Sequence, residues 1–214
     1  DDLKAKVTPP VICLVNLPCG CVIPNRFVKA AMYEHGSTFL GGPPNKYHHL
    51  LYTCWSKGCW GMIIDGNVQV SSTYLTLGCD MVIPTSLTSE MMESFKSLAD
   101  AIHSSSPDTL AIMQLSHTRQ QSPNILRGCL PFVPPLAPSA VHLGSANQCP
   151  SPIGQLVYNL LFQTPCQMSA EDIDNVVVEF VRGATLAAKS GFDGVELHAS
   201  NGCKFYIFTV HIQN

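Results

Sequence analysis

Charge is scarce in this chain. Only 13% of its 214 residues are Asp, Glu, Lys or Arg, and the formal net charge is −3. That balance gives no general attraction to nucleic acid or to an anionic membrane surface. Long apolar runs are missing as well, since none approaches the roughly 20 residues of a membrane-crossing helix. Asp1-Asp2-Leu3-Lys4 carries none of the marks of a secretory signal, and the lack of an initiator Met leaves room for a trimmed N-terminus. The ten cysteines include Cys19-x-Cys21 and Cys54-x4-Cys59 but no pair of Cys-x-x-Cys knuckles, so no metal site is expected. Several lie in apolar stretches, where a thiol behaves as a small hydrophobe. The expectation is reduced thiols in a cytoplasmic protein, with a disulfide or two as the alternative.

What is present is apolar and punctuated. Hydrophobic residues make up 46% of the sequence, enough for one full domain core. The length is short for an eight-unit α/β barrel, which usually needs about 250 residues. Val11 to Val22, around Cys19-Gly20-Cys21, suits an N-terminal β-hairpin. A first strand is predicted over Val28 to Met32, followed by a Gly/Pro-rich loop from Gly36 to Pro44. A helix from Asn45 to Lys57 would bury Leu50, Leu51, Cys54 and Trp55, with Gly58 as its cap. Gly61 to Asp65 reads as a second strand. Met91, Met92, Phe95, Leu98 and Ile102 form a helical stripe, and Leu110 to Leu115 reads as a third strand.

Residues 118–168 hold half of the 16 prolines and almost no periodic pattern, so a long functional loop is expected there. Ser169 with Asp172 is a capping-box pattern. It opens a helix whose buried face would be Ile173, Val176, Val177, Phe180, Val181 and Ala184. Val195 to His198 then forms a fourth short strand. Strands alternating with helices imply parallel βαβ units. Four such strands are half of a barrel.

Gly194-Val195-Glu196-Leu197-His198-Ala199-Ser200-Asn201-Gly202 delivers His198 and Asn201 to the C-terminal end of that strand. Barrel active sites are built there, and two side-chain donors three residues apart can hold the oxygen of a carbonyl or phenolate. His198 filling a polar interior beside Glu196 is the alternative.

These residues resemble the Old Yellow Enzyme family of FMN-dependent ene-reductases, in which His-x-x-His/Asn-Gly-Tyr follows the fourth strand. Pro24 to Met32 resembles the family's first-strand motif, Trp60 to Gly66 its second, and Met113 to Arg119 its third. The resemblance implies a (β/α)8-type TIM barrel of class α/β, represented here by its N-terminal half of about four βα units. It also implies reduction of the C=C bond of an enone, with FMN as cofactor and NAD(P)H as reductant, in small-molecule (secondary) metabolism. By the same resemblance His198 and Asn201 bind the oxygen of an enone or phenol-like substrate, and Gln114 meets the flavin's pyrimidine edge. A strand-end Gln that merely satisfies loop backbone stands beside that reading. Gly66 and the backbone at Ala30, Ala31 and Met32 would let the flat ring approach.

Three departures stand out. Where the family carries a proton-donating Tyr two residues after the second anchor, this chain has Cys203. A thiol with an ordinary pKa of about 8.5 is able to donate a proton, with Tyr33 and solvent as rivals. Tyr33 itself occupies the place of the family's Thr or Cys beside the flavin. Residues 204–214 leave the family pattern, as a shifted reading frame or retained intron would. Barrels of this kind bind the cofactor phosphate after strands 7 and 8, and no Gly-rich phosphate loop follows Gly66. The alternatives to a reductase are therefore a cofactor-free isomerase or cyclase using the same oxygen-binding pocket, or a non-catalytic truncated homologue. Half a barrel leaves strand edges open, so a homodimer is expected.

Overall fold

The computed structural model describes residues 10–118, 121–125, 133–141 and 151–199. The chain opens with a 3-10 turn, Pro10–Ile12, and a hairpin of β1 (Val15–Asn16) and β2 (Val22–Ile23) paired antiparallel. Then follow β3 (Val28–Lys29), α1 (Lys46–Ser56), β4 (Met62–Ile64), β5 (Val68–Gln69), β6 (Met81–Val82), α2 (Ser89–His103) and β7 (Leu110–Ser116). The rest is β8 (Leu136–Ala137), α3 (Pro152–Leu161), β9 (Cys166–Gln167), α4 (Ala170–Lys189) and β10 (Gly194–Leu197).

The main sheet is wholly parallel. β3 pairs with β4, β4 with the first half of β7, and β10 with the other side of β7 in the register Glu196↔Gln114. β5 continues past the end of β4 along β7 and carries β6 beside it. Sequential strands are thus neighbours joined through α1, α2 and α4, the topology of half a (β/α)8 barrel. α1 packs on α2, and α2 on α4. One face of the sheet, Ile63, Ala111, Met113 and Leu115, forms the core with Phe95, Leu98 and Ile102 of α2 and Phe180 and Leu186 of α4.

The helices begin where the caps direct. Asn45 accepts from the Tyr47 amide, and the His48 ring nitrogen accepts from the Asn45 amide. Burial, and next the neighbouring His49, push the His48 pKa down to about 4, so the imidazole stays neutral and able to accept. Ser169 and Asp172 close the expected capping box of α4.

Several expectations need correction. α1 buries His48, Tyr52 and Ser56, while Leu50 is 58% exposed and Cys54 is exposed. The inward stripe is polar because Tyr52 is hydrogen-bonded to Lys29, Glu34 and Gly66, and Ser56 to Ser104 and Ser105 just after α2. Lys57 rather than Gly58 caps α1, and Cys59 takes the left-handed conformation with φ 52°. The first strand is only the pair Val28–Lys29. α4 turns Phe180, Gly183, Leu186 and Ala187 inward, and leaves Val177 53% and Val181 59% exposed. The close fit at Gly183, where a Cβ would lie 2.9 Å from Leu115 Cδ2, fixes that rotation. Residues 118–168 are not a plain loop. They contain α3, opened by Ser151 and Pro152 in the usual N-cap and N1 places, and the short parallel pair β8–β9.

Candidate functional site

A cleft of about 180 Å3 opens at the C-terminal side of the sheet, lined by Ala31, Met32, Tyr33, Asn67, Gln114 and His198. Each strand of the half barrel contributes one part. The chain leaving β3 supplies Ala31 to Tyr33, the β4–β5 junction Asn67, β7 Gln114, and the residue after β10 His198. Five of the sequence-predicted residues therefore meet in one place. Ala30 is exposed and does not line the cleft. Asn201 and Cys203 lie outside the described residues.

Gln114 is buried, and its side-chain amide donates to Glu196 Oε1 at 3.2 Å. Neighbouring strands in register make that contact, which fixes the direction of the carboxamide. The main-chain N–H of His198 donates to Leu115 O at 2.9 Å, so the β10 end is tied to β7 and the imidazole is set at the cleft rim. Tyr33 presents its ring to the cleft, while its hydroxyl oxygen is buried from solvent. Burial first, and then the charge of Asp80, raise the Tyr33 pKa far above its ordinary value. A hydroxyl so placed is poorly suited to deliver protons into the cleft.

Gly66 stands behind the cleft. Its missing Cβ leaves room for the Glu34 carboxylate and the Met32 carbonyl, so the close approach that requires glycine comes from the chain itself. Behind it lies a polar network that sequence reasoning missed. The Tyr52 hydroxyl donates to Glu34 Oε1, and accepts from Gly66 N–H at 2.9 Å and from Lys29 Nζ at 3.4 Å. Lys29 Nζ also donates to Ile64 O at 3.1 Å and lies 4.0 Å from the Trp55 ring centre. Asp65 is wholly buried, and its Oδ1 accepts from the main-chain N–H of Gln114 at 2.6 Å. Desolvation, ahead of every other cause, pushes the carboxyls of Glu34 and Asp65 up and the Lys29 amine down. The available signal was Lys29 and Glu34 flanking Ala30-Ala31-Met32-Tyr33, and an Asp closing an apolar strand. Asn67 gave no signal beyond following Gly66.

A profile of the NADH:flavin oxidoreductase / NADH oxidase family matches residues 20–213. The chain belongs to this family. It is 39% identical over 189 residues to the NADH-dependent flavin oxidoreductase iliE of Neonectria sp. (strain DH2), covering 88% of this chain and 24% of that protein. It is 33% identical to the NADH-dependent flavin oxidoreductase iccE of Talaromyces variabilis, covering 88% and 44%. Among solved structures, morphinone reductase superposes with a TM-score of 0.72 at 22% identity, covering 91% of this chain and 49% of that one. The old yellow enzyme homologue from Zymomonas mobilis gives 0.71 at 21%, covering 92% and 50%. These likenesses establish the barrel fold. The chain spans from about a quarter to about half the length of these four relatives.

For a flavin, the donor set fits one edge of the ring system. A buried carboxamide that both donates and accepts suits a pyrimidine edge, and the small side chain of Ala31 leaves a flat wall. The cleft is smaller than the roughly 300–1,000 Å3 of complete small-molecule sites, so the described residues form part of a cradle. Among the described residues, no group of three His, Cys, Asp or Glu side chains is placed to hold a metal. No described helix is long and apolar enough to cross a membrane.

Proposed function

We propose that this chain is the substrate-gripping half of an FMN- and NAD(P)H-dependent oxidoreductase that reduces the C=C bond of an α,β-unsaturated carbonyl in small-molecule (secondary) metabolism. The observation that carries this reading is the meeting of Ala31, Met32, Tyr33, Gln114 and His198 in one cleft. When bound, FMN supplies the hydride, which it takes from NAD(P)H.

The chain's own groups do the rest. Gln114, held by Glu196, would hydrogen-bond the pyrimidine edge, and the chain at Ala31 and Met32 would lie along the ring. His198 and Asn201 donate to the substrate's carbonyl oxygen. Drawing electron density toward that oxygen leaves the β-carbon electron-poor, and donors aimed at developing charge lower the barrier most. Cys203 delivers the proton to the α-carbon. A second copy of the chain is the proposed partner that completes the barrel.

The test is to titrate the reduced chain with FMN, remove free flavin, and record the visible spectrum before and after adding a phenol. We expect a retained flavin band, shifted by phenol in the wild type and unshifted in His198→Ala. A chain that retains no flavin overturns the proposal. Isomerisation or cyclisation of an enone by that flavin-free chain would establish the cofactor-free reading instead.

A further inference from the structure

Asn67 sits where the chain passes from β4 to β5, and its main chain is held from both sides. Before it, Asp65 N–H donates to Ile112 O at 3.0 Å, and Gly66 N–H donates to the Tyr52 hydroxyl at 2.9 Å. A Cβ on Gly66 would run into Met32 O and the Glu34 carboxylate, so this stretch lies tight against the segment after β3. After it, Val68 pairs with Leu115 of β7 and is wholly buried in the core. Successive side chains of an extended chain point to opposite faces, so a core-facing Val68 turns Asn67 to the cleft, which it lines with Tyr33 and Gln114. The registers Val68↔Leu115 and Glu196↔Gln114 also set Asn67, Gln114 and Glu196 level with one another, in one row across three strands.

Two members of that row satisfy each other, since the Gln114 amide donates to Glu196 Oε1. The third is left over. The Asn67 Oδ1 is buried and has no hydrogen-bond partner among the described residues. Buried side-chain acceptors are paired in the large majority of cases, because an unmade bond leaves the full penalty of taking the oxygen out of water. With its main chain fixed at Gly66 and Val68, Asn67 has no loop movement by which to find a partner in the protein. A molecule entering the cleft is the remaining source of a donor.

We infer that Asn67 is a further ligand-binding residue of the cleft, its carboxamide oxygen accepting a hydrogen bond from an N–H on a planar heteroaromatic ring. This rests on the proposed function, which supplies such a ring, and adds a second carboxamide beside Gln114. A carboxamide offers an acceptor and two donors side by side, so it complements a ring edge that carries N–H next to C=O. Asn67 thereby selects for rings with that edge.

The experiment compares the full wild-type chain with Asn67→Leu and Asn67→Ala. Denaturant midpoints are taken without ligand, and dissociation constants for FMN and for lumiflavin, the same ring without the phosphate chain, by flavin fluorescence. Leucine has nearly the shape of asparagine and no polar atom. Removing an oxygen that is unpaired in the empty cleft should leave the midpoint of Asn67→Leu equal to or above that of the wild type. Both dissociation constants should rise together in both variants, on the order of tenfold. A lowered midpoint in Asn67→Leu would show that the oxygen has a partner in the ligand-free protein, and would overturn the inference. Unchanged dissociation constants would overturn it too, as would a loss seen only in Asn67→Leu, which would mark obstruction by the new side chain. A wild type that binds neither ring overturns the proposed function and this inference together, whereas ring binding that survives both substitutions overturns this inference alone.

Discussion

Asp65 is wholly buried, and only one of its carboxyl oxygens is hydrogen-bonded among the described residues. With its pKa raised by desolvation, the folded state holds a proton there that the unfolded chain releases at about pH 4. A raised carboxyl is most stabilising below the unfolded pKa, and its contribution falls as pH rises through the folded one. Glu34 shifts in the same direction, also through burial. We expect unfolding free energy, measured with denaturant at a series of pH values, to decline as pH rises from about 4. Asp65→Asn keeps the acceptor for Gln114 N–H and removes the proton, so its decline should be shallower; parallel curves would refute the protonated carboxyl. If His198 and Asn201 grip the oxygen as proposed, His198→Ala and Asn201→Ala should each weaken binding of a phenolic ligand by ~1–3 kcal/mol, the cost of an unmade polar contact. Unchanged phenol affinity in both folded variants would remove them from the oxygen-binding role. Cys203→Ser should slow oxidation of the reduced flavin by enone while leaving flavin reduction by NAD(P)H alone. Equal slowing of both half-reactions would give Cys203 a structural role.

The Tyr52 hydroxyl joins three elements: α1 itself, the segment after β3 through Glu34, and the β4–β5 junction through Gly66. Tyr52→Phe keeps the ring against Trp55 and Lys29 but takes the hydroxyl from a half-buried carboxyl oxygen of Glu34 and from the buried Gly66 N–H. Each such group costs about 1–3 kcal/mol, so a loss of roughly 2–5 kcal/mol is expected from denaturant unfolding. A loss under 1 kcal/mol would mean that water or a shifted side chain replaces the hydroxyl. The same network shows where the sequence was legible. The 3.6-residue stripe Phe95, Leu98, Ile102 and the capping box at Ser169 were readable because local geometry alone produces them. The inward face of α1 was not, since Tyr52 and Ser56 are buried by partners distant in sequence. β5 and β6 are two residues each, too short to show alternation. α3 did have a signal, Ser151-Pro152 followed by Ile153, Leu156, Val157 and Leu160 at helical spacing, hidden by the prolines around it. At the cleft, Gln114 and His198 were legible from their strand ends, whereas Glu196 as the holder of Gln114 needed the register of β7 with β10.

A half barrel has two edges, and among the described residues both are open. There β3 pairs only with β4, and β10 only with β7. An unpaired edge is a template for another strand. The side chains beside it are apolar: Leu197 is 46% and Val195 39% exposed on β10, and Val177 and Val181 extend the patch onto α4. Covering such side chains contributes ~1.5–3 kcal/mol each when burial is complete. Two copies related by a two-fold axis would set β10 of each chain against β3 of the other, closing eight principal strands and bringing two copies of the cleft residues onto one barrel mouth. An interface of that kind must bury on the order of 1,600 Å2 to be stable, within reach of two strand edges and two helix faces. Light scattering at micromolar concentration should therefore give about twice the 23.2 kDa of one chain. Leu197→Glu, which places a charge on the open edge of β10, should shift the mass toward the monomer and weaken flavin retention together. A wild-type chain that scatters as a well-folded monomer refutes the dimer. A Leu197→Glu chain that stays dimeric would place the interface elsewhere on the surface.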